Sequence, residues 1–335
     1  MTSFAKVRSG MQRTTPWQRI APALALLACL SLAPAPGRAE PPVRIIVPLA
    51  PGSTADVAAR LMGQHFAQAL GRPVVVENLP AAGGVPGTAQ LVRAPNDGSV
   101  LAMVASNHVI NPALYPSMPY DPIGGVTPIT VVGRFPLVLV AIPSLPVTNA
   151  GGLITLARQR PGRLHYGSGG NGSILHLAAE LFRSEAGGLD VRHVPYQGSA
   201  QMVTDLLGRR IDFAFLAVTV AAPLVKAGKV RALGLSGAAR SNLLPGVPTL
   251  AEEGLAGYRY DAWIALVAPA GMRPALVTRL HALSHQVLAS SEGRAALARH
   301  GVEMVASTPA QAGAFLRAEL AKQAALVRRS GATMD

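Results

Sequence analysis

The chain has 335 residues, half of them hydrophobic, 14% charged and 4% aromatic, with 34 glycines and 28 prolines spread among apolar segments. That length holds one large or two medium globular domains with real cores, and that composition excludes a disordered chain. The formal charge of +13 at pH 7 is dispersed along helical stretches with no aromatic-interleaved basic patch, which reads as a solvated basic surface rather than a nucleic-acid interface.

The first 39 residues stand apart. Lys6, Arg8, Arg13 and Arg19 form a basic stretch without an acid, "IAPALALLACLSLA" (20–33) is an apolar run too short to span a membrane, and "GRA" (37–39) offers small residues for cleavage before Glu40. This is the pattern of a secretory signal peptide, and it implies a periplasmic mature protein. A competing reading is a lipoprotein, because "LLAC" (26–29) loosely resembles a lipobox ending in Cys29, the single cysteine. If Cys29 leaves with the signal, the mature chain has no thiol for a disulfide, a zinc site or a nucleophile. The segment carries five basic residues (Lys6, Arg8, Arg13, Arg19 and Arg38), so its loss leaves a net charge of +8.

The mature chain alternates strands and amphipathic helices. "VRIIVPLA" (43–50) reads as a buried strand, and "STADVAARLMGQHFAQAL" (53–70) as a helix with Val57, Leu61, Met62, Phe66 and Leu70 at helical spacing, stopped by Gly71. "PVVVEN" (73–78) and "SVLAMVAS" (99–106) are further strands, separated by a glycine turn and a helix. "FPLVLVAIP" (135–143) is an apolar strand running into "PSLPVT", whose prolines suit a crossing between domains. The alternation resumes through strands "LHYGS", "VRHVPY", "IDFAFLAV" and "VRALGLS", each followed or preceded by a helix, and "YDAWIALVAP" (260–269) is again a strand. Only helices follow it, the last opening at Thr308 as cap with Pro309 first and Gln311 three after the cap. Such alternation implies an α/β fold with mainly parallel sheets flanked by helices. The helical ending needs a sheet to pack on, so the economical arrangement is two domains: 40–143 with 261–335 as a discontinuous first domain, and 144–260 inserted as the second. Two crossing strands would form the hinge.

The stretch "GSGGNGSILH" (167–176) carries the strongest local signal. It joins a strand end to a helix marked by Ile174, Leu177, Ala178, Leu181 and Phe182. Ser168, Gly169, Gly170, Asn171 and Gly172 therefore lie where backbone N–H groups point from a helix start, a place suited to a carboxylate or phosphate, with Ser173 as N-cap. A plain strand–helix turn is the alternative. A serine hydrolase using Ser173 or Ser168 is the rival reading. Yet "GNGSI" is not a G-x-S-x-G elbow, and no local carboxylate orients His176. "PGSTADV" (51–57) makes a similar junction, with Gly52, Ser53 and Thr54 offering N–H and hydroxyl groups and Asp56 complementing the helix dipole. Ser106 and Asn107 end the third strand, at the side where open α/β sheets collect ligands. The eight histidines show no paired ligand spacing, so no metal site is expected, and no nucleotide-phosphate or dinucleotide fingerprint occurs in context, so no cofactor is expected.

As an ordered set, "RIIVPLAPGSTADVAAR", "RPVVVEN", "AAGG", "INPALYPSMPYDP", "GRLHYGSGGNGSILHLAAELF", "HVPYQGSA", "RALGLSGAARSNLLPGVPTLAEEGL" and "WIALVAPAG" resemble the Bug-type, or TctC-like, substrate-binding proteins of the tripartite tricarboxylate transporter family. The resemblance covers essentially the whole mature chain. It implies a two-lobed, type II-like periplasmic binding protein, monomeric and without catalysis, that closes on a small organic carboxylate and delivers it to membrane transporter subunits or to a sensor protein. It also implies that loops 51–56 (Ala55 included), 105–108 and 167–173 contact the ligand through backbone amides, hydroxyls and water rather than an arginine clamp. Three departures bear on the ligand: Gly52-Ser53 replaces the usual double glycine, the third strand ends in a short "VASNH", and Leu216-Ala217 stand where many members carry an acidic or small residue and then asparagine.

Overall fold

The structure, a computed structural model, describes Thr2 and residues 40–333. The signal-peptide and lipobox readings, Cys29 included, therefore lie outside the described residues.

From Val43 onward each buried apolar run becomes a strand and each amphipathic run a helix. The order is β1 (Val43–Val47), α1 (Thr54–Leu70), β2 (Val74–Asn78), α2 (Val85–Val92), β3 (Val100–Ala105) and α3 (Asn107–Leu114), then the long β4 (Val126–Ala141). Next come α4 (Ala150–Gln159), β5 (His165–Ser168), α5 (Ile174–Glu185), β6 (Arg192–Pro195), α6 (Ser199–Leu207), β7 (Phe213–Ala217), α7 (Val218–Lys226) and β8 (Arg231–Leu235). The chain returns through β9 (Asp261–Pro269) and closes with α8 (Pro274–Ala289), α9 (Ser291–Arg299), the short β10 (Glu303–Met304) and α10 (Pro309–Ser330). Local chemistry sets the helix ends. Ser53 caps α1 by accepting from the Asp56 N–H, and Gly71 ends it at φ 65°. At α10, Thr308 and Gln311 form the expected capping box.

The strands run in the order β2-β1-β3-β9-β4-β7-β5-β6, with β8 and β10 also pairing to β4. Pairing is parallel among β1, β2 and β3 and among β5, β6 and β7, but β9 and β4 enter antiparallel. The sheets are thus mixed rather than mainly parallel. A strand leaving one lobe and a strand coming back lie side by side, and opposite travel makes their pairing antiparallel.

β4 itself crosses between the lobes. It pairs with β9 as far as Pro136↔Asp261, and with β7 from Leu137↔Ala217 onward. Pro136 has no N–H to donate, which suits the point where one ladder ends. The change of partner therefore falls inside a continuous strand, upstream of the Pro143–Thr148 stretch to which the sequence points. The return path lies alongside: Ser236 N donates to Leu137 O and Tyr260 N to Ser236 O, both at 2.8 Å.

Apolar clusters cover both faces of the first lobe's sheet, one around Phe66, Met103 and Leu288, the other around Trp263, Leu91 and Leu316. The second lobe's core is built on Phe182, Phe213 and Phe215. Ile110 and Leu114 of α3 and Leu326 and Val327 of α10 pack into that second core, so two helices from the first lobe brace the other.

Candidate functional site

A cavity of about 590 Å³ is lined by strand ends and helix starts from both lobes. The first lobe contributes Ser106 and Asn107 at the end of β3, with Ile110, Asn111, Leu114 and Tyr115 of and just beyond α3. The second contributes the loop Gly169–Ser173, the first residues of α5, Tyr196 and Gln197 ahead of α6 with its first residue Ser199, and Leu216 and Ala217 at the end of β7. The crossing adds Phe135, Leu137 and Trp263.

Two properties of this lining matter for chemistry. No residue of the lining is an aspartate, glutamate, lysine, arginine or histidine. And α3, α5 and α6 begin at residues on its wall, while α7 begins directly after its N-cap Ala217, which is on the wall. A helix start leaves its first N–H groups without internal acceptors and carries about half a positive charge. Four such starts around a charge-free cavity favour a small anion, by dipoles alone.

The loop after β5 shows how the donors are shared. Ser173 Oγ accepts from His176 N at 3.3 Å and caps α5. Gly172 N donates to His176 Nδ1 at 3.0 Å, and Gly170 N to Ser168 Oγ at 3.2 Å. The first-turn N–H groups of Ile174 and Leu175, both on the wall, are left over by helix geometry. On the other lobe Ser106 Oγ accepts from Trp263 N at 3.2 Å, which leaves its own proton available to a ligand. Asn107 and Asn111 both donate their side-chain amides to Gly83 O, fixing the "AAGG" turn against α3.

Ser168 and His176 sit beneath this loop rather than on the wall, at 0% and 4% exposure. There they meet His193, a residue to which sequence reading assigns no role. His193 Nε2 lies 2.7 Å from Ser168 Oγ, and its ring stacks on His176 at 4.0 Å between centroids. Tyr166 stacks on His193 and donates to Glu180, which Arg183 grips through both carboxylate oxygens and which, contrary to the sequence reading, sets a carboxylate 3.9 Å from His176 Nε2. Burial, reinforced for His176 by the Arg183 charge and for His193 chiefly by His176, pushes both histidines down to about 4. Both rings are therefore neutral near pH 7, as the Gly172 N–H requires of Nδ1.

The first glycine loop is arranged differently. Gly52, Ser53, Thr54, Ala55 and Asp56 are not on the cavity wall. Asp56 is buried, which by itself raises its pKa. Hydrogen bonds from Arg60, Gly52 N and Asn78 outweigh this and hold it below the usual carboxylate range. Gly52 N thus donates to Asp56 Oδ2 at 3.0 Å, and Asp56 joins α1 to the end of β2.

Of the residues singled out in the sequence, the structure brings Ser106, Asn107, Gly169, Gly170, Asn171, Gly172, Ser173 and Leu216 to one cavity. It adds Gly83, Tyr115, Phe135, Tyr196, Gln197 and Trp263. All but Phe135, which opens "FPLVLVAIP", lie within the landmarks "AAGG", "INPALYPSMPYDP", "HVPYQGSA" and "WIALVAPAG", but as apolar or isolated polar residues they carry no chemical pattern of their own. Among the described residues no group of histidines and acids has metal-site geometry, and no helix is long and apolar enough to cross a membrane.

Comparison with known proteins agrees with the landmarks. The tripartite tricarboxylate transporter family receptor model matches residues 58–332. Protein BugT of Bordetella pertussis is 34% identical over 295 residues, spanning 88% of this chain and 90% of BugT. The structure of R. palustris Rpa4515 with adipate is similar at a TM-score of 0.77 and 32% identity, over 87% of this chain and 98% of that one. MatC from Rhodopseudomonas palustris with bound malate is similar at 0.73 and 26%, over 85% and 98%. Two lobes, a cavity between them walled by helix starts, and a family match across nearly all of the described chain lead to one assignment: the chain belongs to the receptors of the tripartite tricarboxylate transporter family.

Proposed function

We propose that this receptor captures a small organic carboxylate in its inter-lobe cavity and delivers it to membrane subunits of a tripartite tricarboxylate-type transporter, acting as a monomer in the periplasm. The observation that carries the reading is the convergence of helix starts on a cavity without a charged side chain. Ser106, Asn107 and the loop Gly169–Ser173 form the contact set in this reading. The loop Gly52–Asp56, off the wall, ties the start of α1 to the end of β2, and His176 and Ser168 support the second loop. Binding closes residues 144–260 onto 40–143 with 261–335, by rotation about the β4 crossing, and the ligand shifts the population towards the closed form. No chemistry is required of the site. The Ser168 hydroxyl is buried and held by His193 and the Gly170 backbone. Ser173 Oγ caps α5, and the His176 nitrogen nearest the loop is occupied by the Gly172 N–H. Adipate bound to one relative and malate to another support the ligand class.

Thermal-shift measurements over mono-, di- and tricarboxylates test this directly. A true ligand at 100 times its Kd adds about 2.7 kcal/mol of stability. A panel in which acids stabilise no more than their amide analogues would refute carboxylate capture. Mass spectrometry of the secreted protein should find a mature N-terminus near Glu40, whereas a diacylated Cys29 would make it a lipoprotein.

A further inference from the structure

Within the carboxylate reading, on which it rests, we propose that the preferred ligand is an acid with an apolar body, aromatic or branched aliphatic, and not a hydroxylated di- or tricarboxylate. The walls away from the helix starts are hydrocarbon. Leu216 and Val220 come from one lobe, and Ile110, Tyr115, Phe135 and Trp263 from the other and the crossing. Val220 is 38% exposed, among the most exposed large apolar side chains of the described residues, and it stands on this cavity. A ligand body lying against it would remove that surface from water.

The polar side chains of the cavity point to the same conclusion. Asn171, Gln197 and Ser199 are exposed, so their amides and hydroxyl are at the rim, where water satisfies them. Asn107 and Asn111 each give one amide N–H to Gly83 O, and the Asn107 carbonyl oxygen, buried without a partner, is a polar acceptor confined to the start of α3. Besides the second N–H of these amides, the donors deep in the site are the Ser106 hydroxyl and the free N–H groups of helix starts, a set suited to carboxylate oxygens. A hydroxyl on the ligand body away from Asn107 would lie against Leu216, Ile110 or Phe135 and lose its water without a replacement partner. Space favours a bulky body too. The cavity of about 590 Å³ is several times the roughly 150 Å³ that accommodates a benzene ring. Leu216 stands at a strand end on this wall, so the β7 end supplies hydrocarbon where a polar side chain would read a hydroxyl.

Each buried methylene contributes about fourfold in affinity, so a ring or branched chain should outweigh a hydroxylated body of equal charge by at least tenfold. The experiment is calorimetry at constant ligand charge: phenylacetate against lactate, and phenylsuccinate against malate, with phenylacetamide as the uncharged control. Tighter binding of the apolar acid in both pairs, by tenfold or more, is expected. Val220→Asn, at an exposed position that the fold tolerates, should weaken phenylacetate several-fold more than it weakens lactate. Lactate or malate binding as tightly as its partner overturns the proposal while leaving carboxylate capture intact. Phenylacetamide binding as tightly as phenylacetate removes the carboxylate reading itself. Failure of every acid to bind at millimolar concentration removes both.

Discussion

Gly172 is held by two constraints that no other residue type meets. Its φ is +66°, and a Cβ there would run into the Leu114 side chain of α3, on the opposite lobe. Alanine costs about 1 kcal/mol for the backbone conformation alone and in addition keeps the loop from approaching α3. Gly172→Ala should therefore lower ligand affinity at least tenfold while the protein still folds, as calorimetry beside thermal unfolding would show; unchanged affinity would detach this loop from the closed site. His176 supports the same residue from below, and its charge state sets a pH dependence. The folded pKa of about 4 lies below the unfolded value near 6.5, so the unfolded chain binds the proton more readily. The stability contributed by the neutral ring is complete above about pH 6.5 and is lost as pH falls towards 4, with a slope of at most about 1.4 kcal/mol per pH unit. His193 and His108, both also pushed to about 4 by burial, act in the same direction. His176→Gln keeps an acceptor for Gly172 N and removes one titrating group, so its urea-unfolding free energy should fall less steeply between pH 7 and 4.5. Parallel slopes for the two proteins would show that His176 is not one of the groups responsible.

Helices were the most legible elements. α1 and α10 carry their start and stop signals in the chain, and the Thr308 capping box forms as read. Thr308→Ala should cost about 1 kcal/mol, measurable by chemical denaturation, because it strips a donor partner from the first turn of a helix that packs on both lobes. A change below 0.3 kcal/mol would mean that α10 is held by packing alone. The elements least legible were those whose periodicity is masked by their position. β4 begins at Val126, before the apolar run at 135–143, because its first half alternates Thr and Pro with Val and Ile between β9 and β10. α3 begins directly at Asn107, where the sequence shows only a polar strand end, since eight residues with an internal proline give little helical signal.

At the scale of the molecule, the absence of any acid from the described cavity wall sets the sign of selectivity. An α-ammonium group taken into a closed cleft needs a carboxylate or several acceptors. Asp56, the acid nearest in the sequence-level reading, is spent on Arg60, Gly52 N and Asn78 and is off the wall. Glutarate should therefore bind more tightly than glutamate, and succinate more tightly than aspartate, by calorimetry at low salt. The amino acid winning both comparisons would require Asp56 to turn into the cleft on closure.

The sequence by itself determined the α/β class, the helix caps, the glycine-rich helix start at 167–173 and the family, because each depends on neighbours a few residues apart or on landmarks in order. Only the tertiary structure decided which polar residues share a cavity. Asp56 and Ser106 follow neighbouring parallel strands at the same edge of one sheet, yet the Asp56 carboxylate is tied to Arg60, Gly52 N and Asn78 off the cavity wall, while Ser106 is on it. It also decided that His193, 17 residues beyond His176 in the chain, lies stacked against it. Parallel pairing of β5 with β6 sets Tyr166 beside His193, and the helix that begins after β5 brings His176 back over both. Such contacts arise from strand register and helix packing across the lobe, and neither is encoded in the spacing of residues along the chain.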